Sequence, residues 1–212
     1  MMEELLRKQR LEHIKNNIQK GRCLILYDED ILCTELLPLV DSIHIFDYRE
    51  NVLNRIPEQP HLYKVLGSEN YVGLGGTKYD TIVLVNFLEK TKSGPIRELK
   101  SIYKKLNKKG RLIIIVPNAQ SFHRRLGTYN KFILYPLTKD LNSGDKRVFN
   151  LIKLVKNLNK AGIKHIYSYK TYFYKPFKMT DMDNLPKELL ERCASYKTGD
   201  NGAELMAVII KN

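Results

Sequence analysis

The chain predicts an α/β protein with helices layered on a mostly parallel sheet, and three observations carry that expectation. Leu112 to Val116 is an unbroken apolar run rich in β-branched residues, with Gly110 before it and Pro117-Asn118 after it. A strand reads this way when helices cover both of its faces. Arg22 to Tyr27 (R-C-L-I-L-Y) reads as another strand buried on both sides, and further short apolar runs alternate with helical patterns along the chain. In open sheets of this kind ligands sit beyond the carboxyl ends of the strands. The polar cluster Asn118, Gln120, Ser121, His123, Arg124 and Arg125, directly after the central run, is therefore a candidate site.

At 212 residues the chain fits a single domain, 1–212, large enough to bury a core. Residues 3 to 20 carry Leu6, Leu11, Ile14 and Ile18 near one helical face, and Gly21 stops that N-terminal helix. The first strand follows at 22–27. Asp28-Glu29-Asp30 then open a helix over 31–40, acids suiting the positive end of its dipole. A second strand, 43–46, ends at Asp47. A short helix over 51–56 is closed by Pro57 and Pro60, and 62–66 form a third strand.

The turn-rich stretch 67–78 leads into a fourth strand, 81–85. Gly94-Pro95 start a helix over 96–106, a position where proline loses no needed hydrogen bond. After the central strand, 128–145 is irregular and reads as a substrate loop. Residues 145–160 form a helix with Val148, Ile152, Val155 and Leu158 inward. Then come a β-like stretch at 163–174, a helix at 187–195 and a last strand at 205–210.

No apolar run approaches the roughly 20 residues of a membrane span. The N-terminus has acids and no secretory h-region, and the three cysteines show no metal-like spacing. A cytoplasmic protein with reduced thiols and no metal is the expectation. The net charge of +13, from 36 basic and 23 acidic residues, permits an anionic partner. No zinc finger or RNA-recognition signature accompanies it, and dispersed lysines on solvated helices account for it equally well.

Four stretches together resemble the class I S-adenosylmethionine-dependent methyltransferases. Y-D-T-I-V-L-V-N-F-L-E-K (79–90) is similar to the family's fourth strand and its exit, and K-L-N-K-K-G-R-L-I-I-I-V-P-N (105–118) to its fifth. A-Q-S-F-H-R-R-L-G (119–127) and the region 143–177 resemble a subgroup associated with sugar and surface-polysaccharide methylation. The resemblance implies a Rossmann-like three-layer sandwich. Its sheet has seven strands, mostly parallel, with an antiparallel last strand near 205–210. It also implies S-adenosylmethionine as methyl donor and a sugar or anionic small molecule as acceptor, without a metal.

The donor loop after the first strand departs from that family. A gapless match places the three glycines of its usual pattern on Tyr27, Glu29 and Ile31, and no glycine occurs between Gly21 and Gly67. Glycine serves there because the backbone turns tightly and the ligand approaches closely. The remaining donor-site candidates implied are Asp28 in that loop, Asp47 for the ribose hydroxyls, Ser68 and Glu69 for the adenine, and Asn86 at the fourth-strand exit. Asp47 reads equally as a helix cap, and Ser68-Glu69 as an ordinary turn.

For the acceptor, His123 would take a proton from a sugar hydroxyl near neutral pH. Arg124 and Arg125 would clamp a phosphate with forked donors, with Asn118 and Ser121 as further substrate contacts. The competing reading of His-Arg-Arg is a solvated helix turn.

Three functions remain open at this level. A divergent methyltransferase needs an open pocket between strands one and four with Asp47 facing it. A methyltransferase-like partner or scaffold, in a homo- or hetero-oligomer with another such chain, predicts that Tyr27 or Ile31 fills that pocket. A basic RNA-associated protein predicts one continuous Lys/Arg face.

Overall fold

The structure, a computed structural model, describes residues 2–27, 31–67, 74–122, 147, 149–173, 186–197 and 199–212. Seven strands form one sheet: β1 (Arg22–Leu26), β2 (Ser42–Asp47), β3 (Leu62–Leu66), β4 (Tyr79–Val85), β5 (Leu106–Pro117), β6 (Ser168–Tyr172) and β7 (Glu204–Ile210). Their order is β3-β2-β1-β4-β5-β7-β6. β7 runs antiparallel to both neighbours, and the other pairings are parallel.

The period-two alternation of the strands sorts their side chains into two cores. Cys23, Ile25, Ile45, Val83, Ile113 and Met206 face one layer. That layer holds α1 (Met2–Lys15), α2 (Cys33–Leu36), α3 (Glu50–Leu53) and α6 (Lys187–Ser195). Leu24, Leu26, Ile82, Leu84, Ile114 and Ala207 face α4 (Pro95–Lys104) and α5 (Leu151–Lys160). Both faces are covered, so the strand centres Cys23–Leu26, Ile82–Val85 and Leu112–Val116 are apolar throughout.

Several elements differ from expectation for local reasons. α1 ends at Lys15, short of 20, where the Asn17 amide folds back onto the His13 carbonyl at 2.8 Å. The helix expected over 31–40 is only Cys33–Leu36. Pro38 lacks an N–H, and the chain tightens into a 3-10 turn over Leu37–Leu39. α3 spans four residues instead of 51–56.

β5 begins at Leu106, where helix was expected. A register shift between Tyr79 and Thr81 accommodates Asn107 to Gly110, with Lys109 at φ 63. α5 starts at Leu151 rather than 145, because Asn150 is extended and its Oδ1 accepts the Lys153 N–H at 2.8 Å. Its buried face is therefore Leu154 and Leu158. Ile152 is 71% exposed, Val155 is half-buried, and Val148 lies outside the described residues.

A buried ionic network fastens α1 to the β6–β7 hairpin. Arg10 places Nε 3.2 Å from Glu204 Oε2 and Nη2 against Oε1, and the Tyr172 hydroxyl donates to Glu204 Oε2 at 2.5 Å. Burial opposes the Arg10 charge, but the Glu204 carboxylate more than offsets it, so the guanidinium stays protonated. The His13 ring packs edge-on against Tyr172, and its Nδ1 accepts from Lys170 Nζ at 2.7 Å. No signal of period or motif marks this network in the sequence, since its members lie up to 194 residues apart.

Candidate functional site

β1 and β4 are neighbours, and the strand order reverses between them. Their carboxyl ends flank the crevice where such sheets hold ligands. The chain leaves β1 at Tyr27 with φ 61, a left-handed conformation that is uncommon for a bulky residue. Ile31 also has φ 52. Two of the positions matched to the family's glycines thus keep a glycine-like backbone while carrying large side chains.

The Tyr27 ring bridges the residues that follow β2 and β4. It lies edge-on to Phe87, just past β4, at 4.9 Å between centroids, and to Tyr48, just past β2, at 5.3 Å. Burial pushes the Tyr27 hydroxyl well above its ordinary pKa. Beside the three rings remains a cavity of about 20 Å³, bordered also by Thr91, Ser93 and Glu98. That is room for about one water.

Asp47 ends β2 with its carboxylate fully buried, and Arg49 occupies it. Arg49 donates to Oδ1 through its backbone N–H at 2.9 Å and Nε at 3.0 Å, and to Oδ2 through Nη2 at 2.9 Å. The guanidinium carbon also lies 5.3 Å from the Tyr27 ring centroid and 5.6 Å from that of Tyr48. Asp47 is not the cap of α3, whose N-cap is Arg49. Its backbone bond to Arg49 is an Asx-type turn at the helix entrance. Arg49, Tyr48 and Phe87 were missed in the sequence. The acid-x-Arg spacing at a strand exit was the available signal.

The other candidates divide. Asn86 follows β4 at φ 49, and its buried Oδ1 has no partner among the described residues. Asn118 is committed to the backbone. Its amide donates to the Asp200 and Gly202 carbonyls at 2.9 and 2.8 Å, and its Oδ1 accepts the Gln120 N–H at 3.0 Å. Ser121 is fully buried with its Oγ unpartnered among the described residues. Asp28, Ser68, Glu69, His123, Arg124 and Arg125, and the 128–145 loop, lie outside the described residues.

Among the described residues no His/Cys/Asp/Glu group suited to a metal occurs, and no helix is long and apolar enough to cross a membrane.

A sheet ordered 3-2-1-4-5-7-6 with its inverted strand second from the edge, and a crevice at the β1/β4 reversal, defines the class I methyltransferase fold. The chain belongs to the methyltransferase-domain family, whose model matches residues 11–159. Solved structures agree on the fold. An S-adenosylmethionine-dependent methyltransferase from Thermotoga maritima has a TM-score of 0.70 at 18% identity, covering 100% of this chain and 91% of that one. One from Mesorhizobium loti has a TM-score of 0.65 at 13% identity, covering 96% of each. A Haloferax volcanii methyltransferase solved with its methyltransferase activator has a TM-score of 0.63 at 10% identity, covering 99% and 96%. No curated protein matches the sequence.

The family implies S-adenosylmethionine as methyl donor. Two of the described positions, Asp47 and Tyr27, do not fit it as arranged. The Asp47 carboxylate is already taken up by Arg49, and a tyrosine ring stands at position 27, where the resemblance places a glycine.

Proposed function

We propose that this chain is a methyltransferase-fold protein that has given up ordinary donor binding and serves as a non-catalytic partner of a catalytically competent methyltransferase chain. One observation carries the reading: Arg49 takes the acid at the end of β2, while the Tyr27 ring stands between Tyr48 and Phe87 at the strand ends. A protein of the same fold is itself seen in complex with an activator, which supports assembly as a use of this scaffold. The three cysteines form no disulfide among the described residues, which suits a reducing, cytoplasmic setting.

The first test is calorimetric titration with S-adenosylmethionine and S-adenosylhomocysteine. No saturable binding is expected up to about 1 mM, a dissociation constant worth about 4 kcal/mol. Micromolar binding that Asp47→Ala abolishes would overturn the proposal.

A second reading is favoured by the backbone. Tyr27 and Ile31 keep left-handed conformations, and the buried Ser121 Oγ and Asn86 Oδ1 have no partner among the described residues. In that reading Arg49 swings into solvent and the chain methylates a sugar or phosphorylated small molecule, as in surface-glycan synthesis. His123 would take the hydroxyl proton, while Arg124 and Arg125 would hold a phosphate beside Asn118 and Ser121. Asp28, Ser68 and Glu69 would complete the donor site. Micromolar donor binding in the same titration selects this reading.

A further inference from the structure

The two helical layers differ sharply in charge. α4 and α5 together carry six basic residues and one acid, Glu98, which is buried and accepts from Ser93. The opposite layer (α1, α2, α3 and α6) carries six basic residues against seven acids: Glu3, Glu4, Glu12, Glu35, Glu50, Glu188 and Glu191. The excess positive charge of the described helices is thus concentrated on one face.

Its geometry is regular. Arg97, Lys100 and Lys104 recur at i, i+3 and i+7 on α4, and Lys153, Lys156 and Lys160 recur at the same spacing on α5. Leu99 and Ile102 of α4, and Leu154 and Leu158 of α5, point to the core. Both basic trios therefore lie on the outward side, and all six residues are exposed. None forms an ion pair among the described residues, whereas Arg7, Lys15 and Lys187 on the other layer pair with Glu35 and Glu191. Each trio spans about 10 Å along its helix. Packed helices sit about 8–10 Å apart, and both helices run back from the carboxyl edge of a parallel crossover. The result is two parallel cationic stripes. An open groove of about 550 Å³ runs along the α4 stripe.

We propose that this face binds the phosphate backbone of duplex RNA. Two rows of cations match two rows of phosphates, and Ser101 and Asn157, each one position beyond a stripe residue, suit the 2′-hydroxyls of a wide, shallow A-form minor groove. The B-form minor groove is only about 6 Å wide, narrower than the stripe separation, and the wider B-form major groove offers no 2′-hydroxyl for Ser101 and Asn157 to meet. Single strands are held largely by stacking on aromatics. The one aromatic on the two helices, Tyr103, is half-buried under Lys211. A membrane surface calls for a broad apolar strip. Ile152 is the one large hydrophobic residue exposed on the two helices.

The test compares two double variants of equal charge change, each checked for folding by circular dichroism. Lys100→Glu/Lys156→Glu removes one cation from each stripe, and Lys8→Glu/Arg192→Glu removes two exposed cations from the other layer. Each is titrated, beside the parent, with a fluorescent RNA duplex, a DNA duplex of equal length and phosphatidylserine vesicles over a salt series. RNA binding with a log–log salt slope near about −5 is expected for six contacts. The stripe variant should bind at least tenfold more weakly, with the slope reduced by about 2, and the control should bind within about twofold of the parent. Equal losses in the two variants would show net charge alone at work and overturn the proposal. So would tighter binding to DNA or vesicles, or no RNA binding at low salt.

Discussion

The Arg49 guanidinium grips both oxygens of the Asp47 carboxylate from two residues away, at 3.0 Å from Nε and 2.9 Å from Nη2. A forked donor matched to a fully buried acid is a strong, directional pairing. Asp47 stands at the end of β2, where the family resemblance implies ribose recognition. Here that acceptor is satisfied from within the chain.

Removing Arg49 leaves a buried charge without its cation. Arg49→Ala should destabilise the protein by up to about 3 kcal/mol. Asp47→Asn in the same background should restore part of that loss, because a neutral amide costs less to bury. Urea denaturation of the four members of the cycle measures the coupling, and additive losses would refute the pairing.

Tyr27 should reverse the usual order of glycine and alanine. At φ 61 a Cβ costs about 1–2 kcal/mol, which glycine escapes. Both Tyr27→Ala and Tyr27→Gly lose the ring contacts with Phe87 and Tyr48. The glycine variant should nevertheless melt higher, by about 1 kcal/mol in stability. A more stable alanine variant would contradict the left-handed turn.

The Arg10–Glu204–Tyr172 network predicts a graded pair of effects. Glu204→Ala strands a buried guanidinium and should cost about 3–5 kcal/mol. Tyr172→Phe removes one hydroxyl bond and keeps the packing, for about 1–2 kcal/mol. Thermal unfolding of both variants would show whether the order holds.

His13 makes stability depend on pH. Burial, and then the Lys170 ammonium, lower its pKa to about 4, while Glu12 and Glu204 oppose them. A histidine lowered in the folded state stabilises the fold fully above its unfolded pKa of about 6.5. That contribution is lost as pH falls toward about 4. His44, lowered chiefly by burial, acts in the same direction. His13→Phe keeps the edge contact with Tyr172 and should flatten the decline between about pH 6.5 and 4. Urea midpoints across that range, unchanged by the substitution, would assign the decline elsewhere.

Orientation of α5 is testable by contrast. Leu154→Ala should cost about 2–5 kcal/mol and Ile152→Ala within about 0.5 kcal/mol, since only Leu154 is buried. Equal costs would mean that the helix face is wrongly assigned.

The strand sequence, the parallel core and the family likeness were legible because both-face burial writes itself as contiguous apolar runs such as Leu24–Leu26 and Leu112–Val116. The vacancy of glycine at Tyr27 and Ile31 was equally plain, and it located the crevice. Other features depended on contacts that sequence order does not encode. The inward face of α5 turned on a single cap at Asn150. Arg10 and Glu204 meet only once β7 is laid beside β5, and the two basic trios become one surface only when α4 and α5 pack side by side. Whether Asp47 faces a ligand or its own arginine was likewise undecidable from residue types. A carboxylate is satisfied by whichever donors the folded backbone brings within reach, and here the turn after β2 brings Arg49.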